Sequence, residues 1–251
     1  MAIAVIMQGK DLQPWKKAFA SQAGEVPVWF WPDINRPGLV QMALVWKHPA
    51  GSLQQFPNLK VVASAGAGVE HIFADPGLPG HVSITRVVDP GLAQGIGRYV
   101  AMAITAHQKK LLACLQQQRQ GIWRQPFSHE VPLQAGLLGN GQIGKIVARI
   151  LRELGYEVRT WSRTPDPTDA RHFAGSGQLP AFLKNCNVIV CLLPFTPDTA
   201  GILNSQLFEL CQPGTLLVNV GRGGHLVEAD LLQALENGQL SGAWLDVFDQ
   251  E

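Results

Sequence analysis

The sequence lacks a charge imbalance, and this excludes several classes of partner. Its 251 residues include 20 Lys and Arg against 19 Asp and Glu, which gives a formal net charge of +1. A nucleic acid or an anionic membrane surface therefore has no electrostatic attraction to the chain. No segment reaches the ~18 consecutive apolar residues that a membrane span needs. We expect neither a nucleic-acid partner nor a membrane.

Cysteine is also scarce, with four residues at positions 114, 186, 191 and 211. They form no Cys-x-x-Cys pair and no zinc pattern, so no metal site is predicted. Three of them lie in apolar stretches, which indicates buried thiols in a reducing cytoplasm. The apolar residues 1–11 lack the basic region and cleavage site of a signal peptide, and they are predicted to form a first strand.

Short apolar runs and turn residues alternate along the first 90 residues. Strands are predicted at 3–7, 26–31, 42–46, 60–66 and 83–88, and a helix at 14–22. This pattern is typical of a small α/β domain with a parallel sheet. Pro90-Gly91 marks the predicted domain boundary, and a single long helix is predicted over 96–121.

From residue 133 strands and helices alternate regularly. Strands are predicted at 133–138, 157–161, 187–193, 215–220 and 241–248, and helices at 142–154, 179–184, 204–211 and 228–239. This alternation favours a doubly wound parallel sheet. The predicted fold class is therefore α/β, with a flavodoxin-like domain over 1–90 and a Rossmann domain over 91–251.

Gly139, Gly141 and Gly144 form a G-x-G-x-x-G pattern between a predicted strand and a predicted helix. The pattern alone is weak, but this context is the one that dinucleotide binding requires. Gly139 can adopt backbone angles closed to other residues, Gly141 lets a pyrophosphate approach, and Gly144 lets the helix lie close to the strand. The N–H groups at the helix start would hold the phosphates. The alternative is a tight turn that binds nothing.

Ser162, Arg163 and Thr164 follow the second strand of this domain. An NAD site usually has an Asp or Glu there, about twenty residues after the glycines, to bind the ribose hydroxyl. Two hydroxyls around a guanidinium suit a 2′-phosphate instead. The sequence therefore predicts a preference for NADP(H), with NAD(H) possible. The alternative is that Arg163 is a solvated loop residue.

Arg222 lies between glycines after the strand predicted at 215–220, and Glu251 follows one strand later. The carboxyl ends of parallel strands are where ligands bind in such folds. An arginine there can hold a carboxylate and polarise a neighbouring carbonyl. A short-chain reductase would need Tyr-x-x-x-Lys, and neither Tyr99 nor Tyr156 has a lysine four residues on.

Taken together, the motifs resemble those of the D-isomer-specific 2-hydroxyacid dehydrogenases, closest to the glyoxylate/hydroxypyruvate reductase A branch. The resemblance covers essentially the whole chain. Its residues lie at 45–46, 65–69, 138–144, 161–164, 192–194, 196–199, 219–223 and 245–251.

The resemblance implies an enzyme that transfers hydride from NADPH to a small 2-oxo acid such as glyoxylate or hydroxypyruvate. Arg222 would bind the substrate's carboxylate and keto oxygen, Glu251 would pair with a proton-donating histidine, and the helix at 96–121 would lie in a homodimer interface. The implied cofactor-binding residues are Gly139, Asn140, Gly141, Gln142, Ile143, Gly144, Ser162, Arg163, Thr164, Leu193, Pro194, Thr199, Val220, Gly221 and Asp246. The implied substrate-binding residues are Trp46, Ala67, Gly68, Val69 and Arg222, with Arg86 as a weaker addition.

One feature departs from the family pattern. The family's proton-donating histidine comes shortly after the glutamate, and none of the seven histidines of this sequence follows Glu251. His225 is expected to point away from the site, and His71 to pack beside the glycine-rich loop at 65–69. We therefore expect a C-terminally truncated form with reduced activity. The alternative is a catalytically impaired NADP(H)-binding or sensing protein on the same scaffold.

Overall fold

The computed structural model describes residues 1–125 and 133–250. The chain divides into two compact units, Met1–Asp89 and Pro90–Glu251. Each unit has its own parallel sheet and its own apolar core. The prediction of two parallel-sheet α/β domains is thereby confirmed, while the separate roles given to the two domains stay predictions.

The first unit is a five-stranded sheet. Its strands are β1 (Ala2–Met7), β2 (Val28–Phe30), β3 (Val40–Trp46), β4 (Val61–Ser64) and β5 (Ser83–Arg86), and its helices are α1 (Gln13–Gln22) and α2 (Glu70–Phe73). The strands are parallel in the order β2-β1-β3-β4-β5, which is the flavodoxin-like arrangement. The end of β3 and the loop after β4 carry the predicted substrate-binding residues Trp46, Ala67, Gly68 and Val69.

The second unit is a six-stranded sheet with helices. Its helices are α3 (Pro90–Gln108), α4 (Leu111–Arg119), α5 (Gln142–Glu153), α6 (Gly175–Leu183), α7 (Ser205–Leu210) and α8 (Glu228–Glu236). Its strands are β6 (Gln134–Leu138), β7 (Glu157–Ser162), β8 (His172–Ala174), β9 (Val188–Cys191), β10 (Thr215–Asn219) and β11 (Leu240–Leu245). All pairs are parallel in the order β11-β10-β9-β6-β7-β8, so the order reverses between β6 and β9. In doubly wound sheets this reversal point is where ligands bind.

Both faces of this second sheet are buried. Along β9, Val188 and Val190 belong to one apolar cluster, and Ile189 and Cys191 to another. Because successive side chains of a strand point to opposite faces, the two clusters cover the two sides of the sheet. This explains why the strands read as continuous apolar runs rather than as alternating patterns.

The predicted single helix at 96–121 is wrong in its bounds. The structure has two helices instead, because Lys110 adopts a left-handed backbone with φ of 52° between α3 and α4. Pro90 is the first residue of α3, where a proline's missing N–H costs nothing. Apolar periodicity continues through the break, which is why the sequence pattern does not reveal it.

Three cysteines, Cys186, Cys191 and Cys211, are buried, while Cys114 is half-buried. Burial raises the pKa of each of the three buried thiols to about 12. They are therefore neutral apolar residues at physiological pH rather than nucleophiles. Within residues 1–125 and 133–250, no helix is both long and apolar enough to span a membrane.

Candidate active site

The glycine turn joins β6 to α5 at the carboxyl edge of the second sheet. Gly139 has a φ of 121°, a conformation that disfavours any side chain. Its N–H donates to the main-chain oxygen of Trp161 at 2.8 Å. A Cβ on Gly139 would also lie 2.9 Å from the main-chain oxygen of Leu192. The turn is thus tied to β7 and lies close to the end of β9.

The other two glycines of the motif differ in their surroundings. A Cβ on Gly144 would collide with the main-chain oxygen of Gly139, so glycine is needed for α5 to lie against the turn. Gly141 is exposed, has ordinary angles of −76° and −167°, and a Cβ there would meet nothing within 4 Å. Among the described residues, no side chain caps the start of α5. Protein packing explains Gly144 but not Gly141, whose open side leaves room for a ligand at the helix N-terminus.

The loop after β7 is shaped by His172, a residue that the sequence analysis missed. Its Nε2 donates to the main-chain oxygen of Thr164 at 3.1 Å, so its Nδ1 accepts from the Thr160 hydroxyl at 2.9 Å. The Ser162 hydroxyl donates to the same Thr164 oxygen at 2.8 Å. The predicted phosphate-binding residues at 162–164 therefore form a hydrogen-bonded loop whose Ser162 proton is used internally.

Arg163 is an exposed cation of this loop. Among the residues that the structure describes, its guanidinium has no hydrogen-bond or ion-pair partner. The carboxylate of Asp166 does reach the glycine turn. Asp166 lies farther along the chain than the Asp or Glu of an NAD site, which follows the second strand directly. Asp166 accepts a hydrogen bond from Asn140 Nδ2 at 3.0 Å and lies 3.2 Å from Lys145 Nζ.

The turn after β9 is held by a hydroxyl. Thr199 Oγ1 donates to the main-chain oxygen of Pro194 at 2.7 Å and accepts from the N–H of Thr196 at 2.9 Å. The predicted cofactor-binding residues Leu193, Pro194 and Thr199 therefore lie in one ordered turn at the carboxyl edge. Thr199 shapes that turn with its side chain.

Arg222 follows β10 at the same edge and is half-buried. Asn219 fixes its backbone: the Asn219 amide accepts from the N–H of Gly221 at 3.1 Å and donates to the main-chain oxygen of Arg222 at 3.0 Å. Arg222 Nη1 donates to the main-chain oxygen of Gly221 at 2.7 Å. Asn219, which sequence reasoning did not single out, is thus the residue that presents Arg222.

His225 is buried and positions the loop. Its Nδ1 accepts from the N–H of Arg222 at 3.0 Å, and its Nε2 therefore donates to the main-chain oxygen of Pro194 at 3.3 Å. Its ring centroid lies 5.4 Å from that of Phe195. A histidine with both nitrogens engaged in this way joins the turns after β9 and β10 and is poorly suited to donate a proton.

The segment after β11 packs directly on the Arg222 loop. A Cβ on Gly223 would collide with the main chain of Phe248 and Asp249, which explains that glycine. The N–H of Asp246 donates to the main-chain oxygen of Asn219 at 3.0 Å. Burial, followed by the charge of Asp246, raises the pKa of Tyr99. Glu251, the other predicted catalytic residue, lies outside the described residues.

In the first unit, Trp46 lies at the end of β3. Its ring centroid is 5.2 Å from that of His71, and a Cβ on Gly66 would collide with the ring. Position 66 therefore has to be glycine, because the ring of Trp46 occupies the space that a side chain would need. Lys10 Nζ lies 5.6 Å from the centroid of the same ring, so a cation covers it.

The glycine-rich loop at 65–69 follows β4. Ser64 Oγ donates to the main-chain oxygen of Gly68 at 2.6 Å, which closes the loop on itself. Arg86 Nη1 donates to the main-chain oxygen of Ala67 at 3.3 Å. The predicted residues Ala67, Gly68 and Val69 are thus partly exposed in a loop with a cation beside it.

A buried hydrogen-bonded pair, His48 and Asp75, supports the neighbouring loops, and the sequence analysis missed it. His48 Nε2 lies 2.9 Å from Asp75 Oδ2, and Asp75 Oδ1 accepts from the N–H groups of Gly51 and Gly77, both at 2.8 Å. Burial would raise the pKa of Asp75, but these hydrogen bonds and His48 together lower it below its ordinary value. The ring centroid of His48 lies 6.2 Å from that of His71, the residue against which Trp46 packs. The His48–Asp75 pair therefore supports the position of Trp46 through His71.

An open depression of about 510 Å³ lies elsewhere, toward the amino ends of β6, β7 and β9. It is lined by Gln134, Glu157, Arg159, Asn185, Asn187 and Gln212. Because ligands of doubly wound sheets bind beyond the carboxyl ends of the strands, we place the functional site at the glycine turn and not in this depression.

The strand order and the glycine turn define a dinucleotide-binding Rossmann domain. The chain belongs to the D-isomer specific 2-hydroxyacid dehydrogenase family, because the family model described as "D-isomer specific 2-hydroxyacid dehydrogenase, NAD binding domain" matches residues 101–251. The family prediction from the sequence motifs is confirmed, and so is the prediction of an NAD(P)-dependent 2-hydroxyacid dehydrogenase.

Individual relatives agree with this assignment. Glyoxylate/hydroxypyruvate reductase A of Serratia proteamaculans is 41% identical over 249 residues, which are 96% of this chain and 79% of that protein. The D-isomer specific 2-hydroxyacid dehydrogenase of Xanthobacter autotrophicus, solved with NADPH and MES, is 34% identical with a TM-score of 0.91 over 100% of this chain and 81% of that one. The NADPH-dependent glyoxylate/hydroxypyruvate reductase of Sinorhizobium meliloti, solved with NADP and sulfate, is 33% identical with a TM-score of 0.88 over 100% of this chain and 82% of that one.

Proposed function

We propose that this chain is an NADP(H)-dependent reductase that converts a small 2-oxo acid of the glyoxylate or hydroxypyruvate type to the 2-hydroxy acid. One observation carries the cofactor choice. Arg163 is an exposed cation at the end of β7, beside a glycine turn that is open at Gly141. The complexes of the Xanthobacter and Sinorhizobium proteins with NADPH and NADP support this choice.

The cofactor residues have distinct proposed tasks. The main-chain N–H groups of residues 140–144, at the start of α5, bind the pyrophosphate, whereas that of Gly139 is engaged with Trp161. Arg163 binds the 2′-phosphate, for which a guanidinium offers several donors in one plane. The nicotinamide, once bound, supplies the hydride. The remaining predicted contacts, Leu193, Pro194, Thr199, Val220, Gly221 and Asp246, lie in the turns after β9, β10 and β11.

The proposed substrate anchor is Arg222. Its charge would bind the carboxylate and polarise the adjacent keto oxygen, and Asn219 holds its backbone in place before substrate arrives. In the first unit, Trp46 and the loop residues Ala67, Gly68 and Val69 are proposed to contact the substrate as well. The pairing of Glu251 with a histidine stays a prediction from the resemblance.

We also propose a homodimer, for which α4 gives support. Leu111, Leu112 and Leu115 are 45%, 64% and 42% exposed, and Trp123 just after the helix is 88% exposed. None of the residues of α4 is buried. An apolar face of this kind suits a second copy of the chain. A mass near twice 27.3 kDa in light scattering is expected, and a monomer would contradict it. The cytoplasmic location stays a prediction.

A steady-state assay tests the proposed function. The purified protein is expected to oxidise NADPH when glyoxylate or hydroxypyruvate is added, and to prefer NADPH to NADH. Arg222→Gln should lower kcat/KM by roughly 10²-fold, the usual effect of removing one charged donor, while the Kd for NADPH changes by less than about twofold. Binding of NADPH without turnover would instead identify an NADP(H)-binding or sensing protein. If the protein binds neither dinucleotide, both the reductase and the NADP(H)-binding alternative are overturned.

A further inference from the structure

Asp166 joins the two parts of the proposed cofactor site. Its Oδ2 accepts a hydrogen bond from Asn140 Nδ2, within the glycine turn, at 3.0 Å. The same oxygen lies 3.2 Å from Nζ of Lys145, near the start of α5. Asp166 also follows Arg163 in the loop after β7. A carboxylate therefore contacts the turn proposed for the pyrophosphate and follows, three residues along the chain, the cation proposed for the 2′-phosphate.

This carboxylate is fixed and charged. Asp166 Oδ1 accepts from the hydroxyl of Thr168 at 2.5 Å and from its N–H at 3.1 Å. The hydrogen bonds from Thr168 and then from Lys145 hold the pKa of Asp166 well below its usual range. The Asp166 side chain is 17% exposed, whereas that of Lys145 is 59% exposed. Asp166 is therefore negatively charged at neutral pH, and its charge offsets that of Lys145.

A second ion pair holds the same loop independently. Arg152 Nη2 lies 3.2 Å from Asp169 Oδ2 and 3.3 Å from the main-chain oxygen of Val158. The loop is therefore tied to α5 at two places. Removing the charge of Asp166 should leave the loop in position, which separates an electrostatic role of Asp166 from a structural one.

We propose that Asp166 sets the cofactor preference by opposing the 2′-phosphate of NADP(H) and by neutralising Lys145. This inference rests on the proposed function. Of the three charged groups Arg163, Lys145 and Asp166, only Arg163 is left to attract an incoming dianion. A phosphate monoester carries a charge of about −1.5 to −2, and NAD(H) carries none at that position. Both dinucleotides carry the pyrophosphate, and only NADP(H) adds the 2′-phosphate. Asp166 therefore weakens the binding of NADP(H) more than that of NAD(H), which narrows the difference between the two affinities.

The test measures the Kd for NADPH and NADH by fluorescence titration. Asp166→Asn keeps the shape of the side chain and an oxygen that can accept from Asn140. It should tighten NADPH binding roughly fivefold, as expected for one screened charge, and tighten NADH binding by a smaller factor, because NADH lacks the 2′-phosphate. Asp169→Asn, in the same loop, is the matched control and should leave the ratio of the two affinities unchanged within about twofold.

A second pair of variants keeps the inference testable if Asp166→Asn folds poorly. Lys145→Gln, at an exposed position, should weaken NADPH binding roughly fivefold and NADH binding by a smaller factor. The double variant should return to the NADPH affinity of the wild type, because one charge of each sign is removed. The inference is overturned if Asp166→Asn leaves the affinity ratio unchanged or weakens NADPH, or if the double variant binds NADPH as weakly as Lys145→Gln. A wild-type protein that binds neither dinucleotide would overturn the proposed function as well, so the two failures are distinguishable.

Discussion

Two glycines of the same turn should respond in opposite ways to replacement by alanine. At Gly144 the added methyl group meets the main-chain oxygen of Gly139, and neither main-chain segment can move without displacing α5 from the sheet. At Gly141 the methyl group meets no atom of the described residues within 4 Å, and the backbone angles suit any residue. Stability should therefore depend on Gly144, and cofactor binding on Gly141.

The magnitudes follow from these surroundings. Overpacking at Gly144 should lower the free energy of unfolding by about 2–3 kcal/mol, which corresponds to a fall in Tm of about 5–10 °C. At Gly141, alanine is a poorer N-cap by about 0.5–1 kcal/mol but restricts the unfolded chain by about 0.4–1 kcal/mol, so the two effects nearly cancel. Its methyl group would occupy the space proposed for the pyrophosphate, and a loss of about 2 kcal/mol in binding is roughly thirtyfold in Kd.

The assay combines thermal unfolding with NADPH titration for the wild type and both variants. Gly141→Ala should unfold within about 3 °C of the wild type and bind NADPH at least about tenfold more weakly. If Gly141→Ala binds NADPH as tightly as the wild type, the turn does not hold the pyrophosphate. If Gly144→Ala is as stable as the wild type, the contact with Gly139 does not constrain the packing of α5.

Three further predictions concern other parts of the chain. Arg163→Ala should weaken the binding of NADPH roughly 10–100-fold and that of NADH less than about threefold. Arg149→Ala is the exposed control, and equal losses of affinity for the two dinucleotides would contradict the assignment of Arg163 to the 2′-phosphate. Asp75→Asn should lower the free energy of unfolding by about 3 kcal/mol in urea denaturation at pH 7. The pKa of Asp75 in the folded protein is lowered from 3.8, so its stabilisation is complete above pH 3.8 and is lost as the pH falls through the lower, folded pKa. In acid, the stability of the wild type should therefore fall faster than that of Asp75→Asn, and equal slopes would refute this. Ellman's reagent should titrate Cys114 alone in the folded protein and all four thiols in denaturant, and rapid reaction of the buried thiols would contradict their burial.

Much of the fold was predictable because its signals are local. Apolar runs separated by turn residues predict the strands, and the glycine spacing predicts a tight turn before α5. The break at Lys110 was not predictable in this way, since the apolar pattern runs on from α3 into α4 and only the backbone reveals the left-handed residue. The short elements β8 and α2 span too few residues for a periodic pattern.

The sequence by itself determined the chemistry that is encoded at fixed spacing: the open glycine turn, the cation Arg163 after the second strand of the Rossmann domain, and the arginine between glycines after β10. Only the tertiary structure decided which distant groups meet these residues. Asp166 reaches Asn140 across 26 positions, and Asp75 reaches His48 across 27. The physical reason is that strand and turn patterns depend on neighbouring residues, whereas a hydrogen bond between two distant side chains depends on which loops the packed sheet brings to the same place.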